Sequence, residues 1–301
     1  MLNIIGKKYI FLSVSGVLML AALIGVAVFG FKLAIDFTGG TSWQVKFENQ
    51  EINEGEIRDF FSSDLKVESP MVLEETSSNS FIVRLPHLSE NQHQEYLTAM
   101  TGKFGKVEEM RFGSIGPTIG KQLRDRAIIA TILVLLGISL YMAVSFRKVS
   151  FPIRSWKYGV VTLISLFHDV LIPAGLLAYL GYFRGIEMDA NFVVALLVIA
   201  GFSVHDTIVV FDRIRENLLF RRGGNKSFAE TVNESINQTL ARSINTSLTL
   251  VLVLLAMFFF GPVSLKLFVL VILVGTVVGT YSSIFIASPV LTIWHGSGKN
   301  R

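Results

Sequence analysis

Residues 191–217 read NFVVALLVIAGFSVHDTIVVFDRIREN. Up to residue 211 this run carries one charged group, Asp206, with His205 beside it; charge resumes at Asp212-Arg213. About 20 apolar residues are enough for an α-helix to cross a bilayer core. A charged residue inside such a helix costs about 2.5–3.5 kcal/mol on the insertion scale, so Asp206 needs a reason to be there.

Five more runs have the same character: 9–31, 127–146, 158–183, 243–263 and 267–294. Only 158–183 contains ionisable residues, the pair His168-Asp169. The fold class expected is therefore an α-helical polytopic membrane protein with six transmembrane helices. Composition agrees. Of the 301 residues, 51% are hydrophobic and 17% charged, against about 25% charged in soluble domains, and the mean hydropathy is +0.56. A fully soluble globular protein and a disordered chain are both excluded. With no cysteine, disulfides and cysteine-ligated zinc or iron–sulfur centres are excluded too.

The net charge of +4 hides two territories. Residues 32–126 hold eleven Lys/Arg against fifteen Asp/Glu, and the remainder sixteen against eight. The basic excess lies beside the apolar runs rather than in a stripe interleaved with aromatics, so no nucleic acid partner is expected. Lys7 and Lys8 precede the first run. Arg147, Lys148, Arg154 and Lys157 fill the second connection, and Arg213, Arg215, Arg221, Arg222, Lys226 and Arg242 the fourth. Lys299 and Arg301 follow the last run, while the opposite short loops hold only Arg184 and Lys266. By the positive-inside rule both termini are cytoplasmic. The run 9–31 is longer than a signal-peptide core and ends without an A-x-A site, so an uncut anchor is expected.

The resulting plan is a cytoplasmic N-terminus and first helix at 1–31 and an exported domain at 32–126. A five-helix region follows at 127–295, with a cytoplasmic loop at 212–242, and then a tail at 296–301. Within the exported domain, 41–47 alternates, with Trp43, Val45 and Phe47 on one face of a half-buried strand. Ile57, Phe60 and Phe61 fit a helix stripe. Residues 67–73 and 80–85 read as strands joined at Ser77-Ser78-Asn79, the first at an edge because of Pro70. Ser89-x-x-Gln92 is a capping box. It opens a helix with His93, Tyr96, Leu97 and Met100 on one stripe, before a last strand at 107–112. This β-α-β-β-α-β order is ferredoxin-like, an α+β arrangement that hosts many functions. His87 and His93 read as surface or helix-face residues rather than metal ligands.

His168-Asp169 lies about eleven residues from the cytoplasmic end of its run, roughly 16 Å deep, and Asp206 six residues before Asp212, roughly 9 Å deep. Arg242, Thr246 and Thr249 share one face of the fifth run, a face suited to receive Asp206. An arginine opposite favours the carboxylate and burial favours the neutral acid. Balanced against each other, these are the physics of a proton relay. Asp169 reads equally as a relay or as a partner of neighbouring backbone. Neighbouring residues point to different sides of a helix, so His168 and His205 are not expected to ligate a metal. Arg213 reads as an interface anchor.

Gly275-x-x-x-Gly279 permits close helix packing, or faces lipid by accident. No G-x-x-x-x-G-K-[ST], H-E-x-x-H or G-x-S-x-G occurs, and Gly223-Gly224 belongs to a turn rather than a phosphate cradle. Neither an ATP-driven pump nor a membrane protease has a basis here, no enzyme is expected, and no cofactor is implied.

The stretch Gly201-Phe202-Ser203-Val204-His205-Asp206-Thr207 through Asn217 resembles the fourth-helix signature of the SecF family of protein-export membrane proteins. Ile35-Asp36-Phe37-Thr38-Gly39-Gly40 resembles its D-F-x-G-G motif. Ser114-Ile115-Gly116-Pro117-Thr118-Ile119-Gly120 resembles its glycine-rich approach to the second helix, and Gln238 to Ser243 the start of its fifth. The resemblance covers nearly the whole chain and implies half of an RND-type assembly. Its partners would be SecD, the Sec translocation channel subunits, exported unfolded polypeptide chains, protons and the lipid bilayer of the cell membrane. It places the proton site on Asp206 and the family's arginine on Arg242, with His168-Asp169 matched on the third helix. His205 departs from the asparagine usual there. Gly39 and Gly40 read as a turn leaving the membrane, and Gly116, Pro117 and Gly120 as a joint coupling the exported domain to the spans. The expected function is proton-coupled protein export. An RND-type exporter of lipids or small molecules, or a non-transporting scaffold, remains open.

Overall fold

The computed structural model describes residues 1–48, 52–75, 79–147, 153–220 and 227–296. Lys148, Arg221, Arg222, Lys226, Lys299 and Arg301, and the turns at Ser77-Ser78 and Gly223-Gly224, lie outside the described residues. The chain divides into two compact units, one of 1–32 with 128–301 and one of 33–127.

The first unit is helical. Among the described residues six helices are long and apolar enough to cross a membrane. They are α1 (Lys8–Phe29), α5 (Pro117–Ser145), α6 (Trp156–Arg184), α7 (Ala190–Phe220), α8 (Phe228–Phe260) and a last span built from α9 (Lys266–Ser282), a π turn at Ser283–Ala287 and α10 (Ser288–Gly296). The boundary between units cuts α5 between Ala127 and Ile128.

Glycines decide how closely these helices pack. A Cβ on Gly175 would lie 2.5 Å from the Ala22 backbone, so α1 and α6 touch main chain to main chain. Gly275 and Gly279 face Ile199 and Ser203 of α7, whose side chains would lie 2.3 and 3.0 Å from a Cβ placed on each. The small-residue pair is thus a helix contact rather than a lipid-facing accident. α6 and the last span are the most enclosed, and α5 the least. The N-terminal segment is tied to α8: Asn233 Oδ1 accepts from the backbone N–H of Ile4 and Ile5 at 2.9 and 3.1 Å, and Asn237 Oδ1 from Leu2 at 2.8 Å.

The second unit is α+β. α2 (Ile35–Thr38) leads into β1 (Gly40–Phe47), followed by α3 (Glu54–Asp59), β2 (Met71–Glu75), β3 (Ser80–Leu85), α4 (Glu90–Phe104) and β4 (Val107–Ile115). The sheet is antiparallel in the order β2-β3-β1-β4, the ferredoxin-like arrangement read from the sequence. Thr41, Trp43, Val45 and Phe47 are buried from β1, and Ile57, Phe60, Phe61 and Met100 from the helices. Ser89 caps α4 reciprocally with Gln92.

Two strand limits differ from expectation. β2 starts at Met71 rather than 67, because Lys66 and Ser69 take positive φ (53° and 49°) and Pro70 has no N–H to pair. β4 extends past 112, since Gly113, Ser114 and Ile115 still pair with Ser42, Thr41 and Gly40.

His93 is a core residue. Its Nε2 lies 2.6 Å from Glu109 Oε2, its ring stacks on Phe112 at 3.7 Å, and Trp43 Nε1 donates to the same Glu109 oxygen at 2.8 Å. His87 Nδ1 lies 2.8 Å from Ser114 Oγ.

Candidate functional site

Polar residues inside apolar helices are costly unless they bond each other. In the helical unit they gather on the mutually facing sides of α6, α7, α8 and α9, around two carboxyl groups.

Asp169 is fully buried on α6. Its Oδ2 accepts from Ser203 of α7 and from Ser282 of α9, the latter at 2.6 Å. Ser165, one turn earlier on α6, donates to Ser282 Oγ at 3.0 Å. Asp169 Oδ1 lies 2.8 Å from Nδ1 of the buried His168. Three helices therefore converge on one carboxyl, and the α9 contribution immediately precedes the π turn. Such turns recur at functional sites because they displace backbone from the regular ladder.

Asp206 is 1% exposed on α7, one turn after Ser203. Ser247 of α8 donates to its Oδ2 at 3.1 Å, and Thr280 of α9 donates to Ser247 Oγ at 2.6 Å. Thr207, also buried, donates to the Ser203 carbonyl at 3.2 Å. Ser203, Asp206 and Thr207 thus form one polar face of α7 that serves both acids. Gly279 makes this possible, because a side chain there would push against Ser203.

Arg242 is not part of this arrangement. It is exposed, and no ion pair joins it to Asp206. The face Arg242-Thr246-Thr249 turns away: Thr246 and Thr249 bond their own helix, to the Arg242 and Thr246 carbonyls. The buried face of α8 is Thr239, Ser243, Ser247 and Leu254. It is rotated by about 100° per residue from the expected one, so Ser247 meets the carboxyl in place of Thr246. His205 is exposed, turned by about 100° around α7 from the buried Asp206. Arg213 bonds Gln238 Oε1 at 2.6 Å and pairs with Glu216, an anchoring role at the helix end.

The glycine motifs meet in the second unit. Phe37 is 3% exposed. Gly39 (φ +76°) lies so close to Pro117 that a Cβ would stand 2.7 Å from its Cα, and a Cβ on Gly120 would stand 2.7 Å from Gly39 N. Gly40 also has positive φ (+114°), with the Leu85 carbonyl 3.1 Å from where its Cβ would be. A Cβ on Gly116 would meet nothing within 4 Å. Asp36 is in the first turn of α2. Two motifs far apart in sequence are one backbone-to-backbone clamp, close-packed rather than loosely hinged.

Sequence reasoning passed over Ser165, Ser203, Ser247, Thr280 and Ser282. They are small hydroxyl residues scattered over four spans otherwise filled with Val, Leu and Ile, and no spacing within any one span links them.

Residues 95–297 match the family described as protein export membrane protein SecD/SecF, C-terminal, and residues 24–51 match the SecD/SecF GG motif. The protein translocase subunit SecF of Thermobaculum terrenum is 43% identical over 98% of this chain and 94% of its own length. That of Anaerolinea thermophila is 40% identical over 100% and 96%. The crystal structure of SecDF, a translocon-associated membrane protein from Thermus thermophilus, superposes with a TM-score of 0.80 at 35% identity. It covers 100% of this chain, which spans 39% of that longer one.

Proposed function

For a chain that belongs to the SecF family of protein translocase subunits, we propose that its part in protein export is driven by proton movement through the buried carboxyl network of α6, α7, α8 and α9. It sits in the cell membrane with both termini cytoplasmic and residues 33–127 exported. SecD is its partner beside the Sec channel, and unfolded polypeptide is what the exported unit handles.

The observation that supports proton coupling is the setting of the two acids. Asp169 and Asp206 are buried at membrane depth, and hydroxyl groups rather than arginine or lysine bond them. A hydroxyl is donor and acceptor at once. It serves a carboxylate by donating and a carboxylic acid by accepting, so each acid changes protonation state without leaving a partner stranded. A permanent salt bridge would hold one state. Moving one charge across 100 mV is worth about 2.3 kcal/mol, enough to bias two packings of α7 against α9. The Gly39–Pro117–Gly120 clamp holds the first turn of α5 within the exported unit. Arg242, exposed at the α8 surface, meets a neighbouring subunit in this reading rather than Asp206.

Asp206→Asn is the test. In membranes carrying the variant with SecD, gradient-dependent export is lost while the complex still assembles. Export at the wild-type rate in a stably expressed D206N chain would overturn proton coupling at this residue. An exporter of lipids or small molecules would leave secretion intact on depletion. A scaffold would be indifferent to D206N.

A further inference from the structure

His168 has two ring nitrogens, and the Asp169 network uses one. Nδ1 lies against Asp169, while Nε2 is buried without a partner among the described residues. The residue is 1% exposed. A buried ring nitrogen left unbonded is unfavourable, so its surroundings matter.

The direction of Nε2 follows from helix register. α1 and α6 run side by side: Gly175 lies on Ala22, Gly25 lies on the Tyr179 ring, and the Tyr179 hydroxyl reaches the Ala21 carbonyl at 3.5 Å. The offset is near 153 residues, which fixes the two helices as parallel. Seven residues, close to two turns, return a helix to the same face. Seven before Gly175 is His168; seven before Ala22 is Ser15. Both therefore stand at one level on the α1–α6 contact.

Ser15 shares this deficit. It is 3% exposed, and its Oγ is also buried without a partner among the described residues. A serine in a helix usually donates to the carbonyl four residues back. Here that carbonyl, Phe11 O, accepts from Tyr281 OH at 3.0 Å instead. Two orphaned polar atoms face one contact, and neither reaches the other directly. A buried water needs two to four polar partners, and the Ser15 hydroxyl and His168 Nε2 supply two.

We propose that Ser15 Oγ and His168 Nε2 hold a water molecule between α1 and α6, and that this water hands protons to Asp169 through the imidazole. The step balances. A proton arriving on the water, as hydronium, passes to Nε2 and leaves neutral water. The Nδ1 proton passes to Asp169 Oδ1. One proton has moved from water to carboxyl, and the imidazole ends neutral in its other tautomer; when Asp169 returns its proton to Nδ1, the Nε2 proton leaves to the water and the first tautomer is restored, so the same path loads and unloads Asp169. The proposal deepens the proton-coupled reading by giving Asp169 its own supply route along α1, separate from Asp206.

The experiment uses the full chain reconstituted with SecD in liposomes, with ¹⁵N-labelled histidine. The chain has five histidines, and His168→Gln assigns the His168 ring by loss of its signal. In solid-state NMR, magnetisation transfer from water to the His168 ring is expected in the wild type. It is lost in Ser15→Val and kept in Ser15→Thr. A dry His168 ring in the wild type, or transfer unchanged in Ser15→Val, would overturn the proposal. Should Ser15→Val fail to assemble, Ser15→Ala removes the same hydroxyl without added bulk, and the same two outcomes decide. Normal export by D206N would remove proton coupling at Asp206 while leaving the NMR result to stand by itself.

Discussion

The clamp formed by the two glycine motifs can be taken apart with four alanines. Gly39 carries two constraints, a positive φ of +76° and a Cβ position 2.7 Å from the Pro117 backbone. Gly105 carries only the first, with φ +82° and open space around it. Gly120 carries only the second, at 2.7 Å from Gly39 N, and Gly116 carries neither. A non-glycine residue held in such a backbone region costs about 1–3 kcal/mol. Forcing a methyl into packed backbone costs another 1–3 or so. Gly39→Ala is therefore expected to destabilise the 33–127 unit by about 2–6 kcal/mol, Gly105→Ala by about half of that, and Gly116→Ala by almost nothing. In Gly120→Ala the clash is offset by about 1 kcal/mol of improved helix propensity. For a unit of this size, 2 kcal/mol lowers the midpoint by roughly 10 °C or more. Trp43 is fully buried in that unit, and replacing Trp156 and Trp294 by Phe leaves it the sole tryptophan. Its fluorescence on heating the full chain in detergent reads the ladder. If Gly39→Ala melts no earlier than Gly105→Ala, the two motifs are not in backbone contact.

Other consequences are as direct. Arg242→Ala should leave the melting of the isolated chain unchanged, because the side chain is exposed and unpaired with Asp206; a drop of several degrees would place it back in the bundle. Asn233→Ala with Asn237→Ala strips the acceptors from three backbone amides, so hydrogen exchange at Leu2, Ile4 and Ile5 should accelerate, and unchanged protection would contradict the tie. The Glu90 carboxyl is held below its ordinary value by the Gln94 amide and then by His93. Its contribution to stability is full above the ordinary carboxylate range and disappears as pH falls through the lowered value. Gln94→Ala should return the carboxyl toward 4.5 in an NMR titration.

Much of the architecture was legible because its signals are periodic. The alternation at 41–47, the Ser89–Gln92 box and six long apolar stretches, four of them free of charge, each have one physical reading. What escaped was angular phase. Reading 67–73 as a strand ignored that Lys66 and Ser69 take left-handed backbone, which nothing in lysine or serine announces. Choosing Arg242, Thr246 and Thr249 as the inward face followed the charge. The helix instead turns its serines inward, where short side chains allow close approach. Asp206 and Asp169 stand out in the sequence as charges in apolar runs, while the hydroxyls around them do not. Serine and threonine are cheap in membranes, and only three-dimensional convergence distinguishes a ligand shell from incidental polarity.

The π turn at Ser283–Ala287 gives the last span one surplus residue relative to a regular α-helix. Removing any other single residue from that span would swing everything beyond the deletion about 100° around the axis. Removing one here would regularise the winding and keep both flanks in phase. The span thus contains one built-in slot where length can change by a residue without unscrewing the bundle, directly beside the serine that holds Asp169.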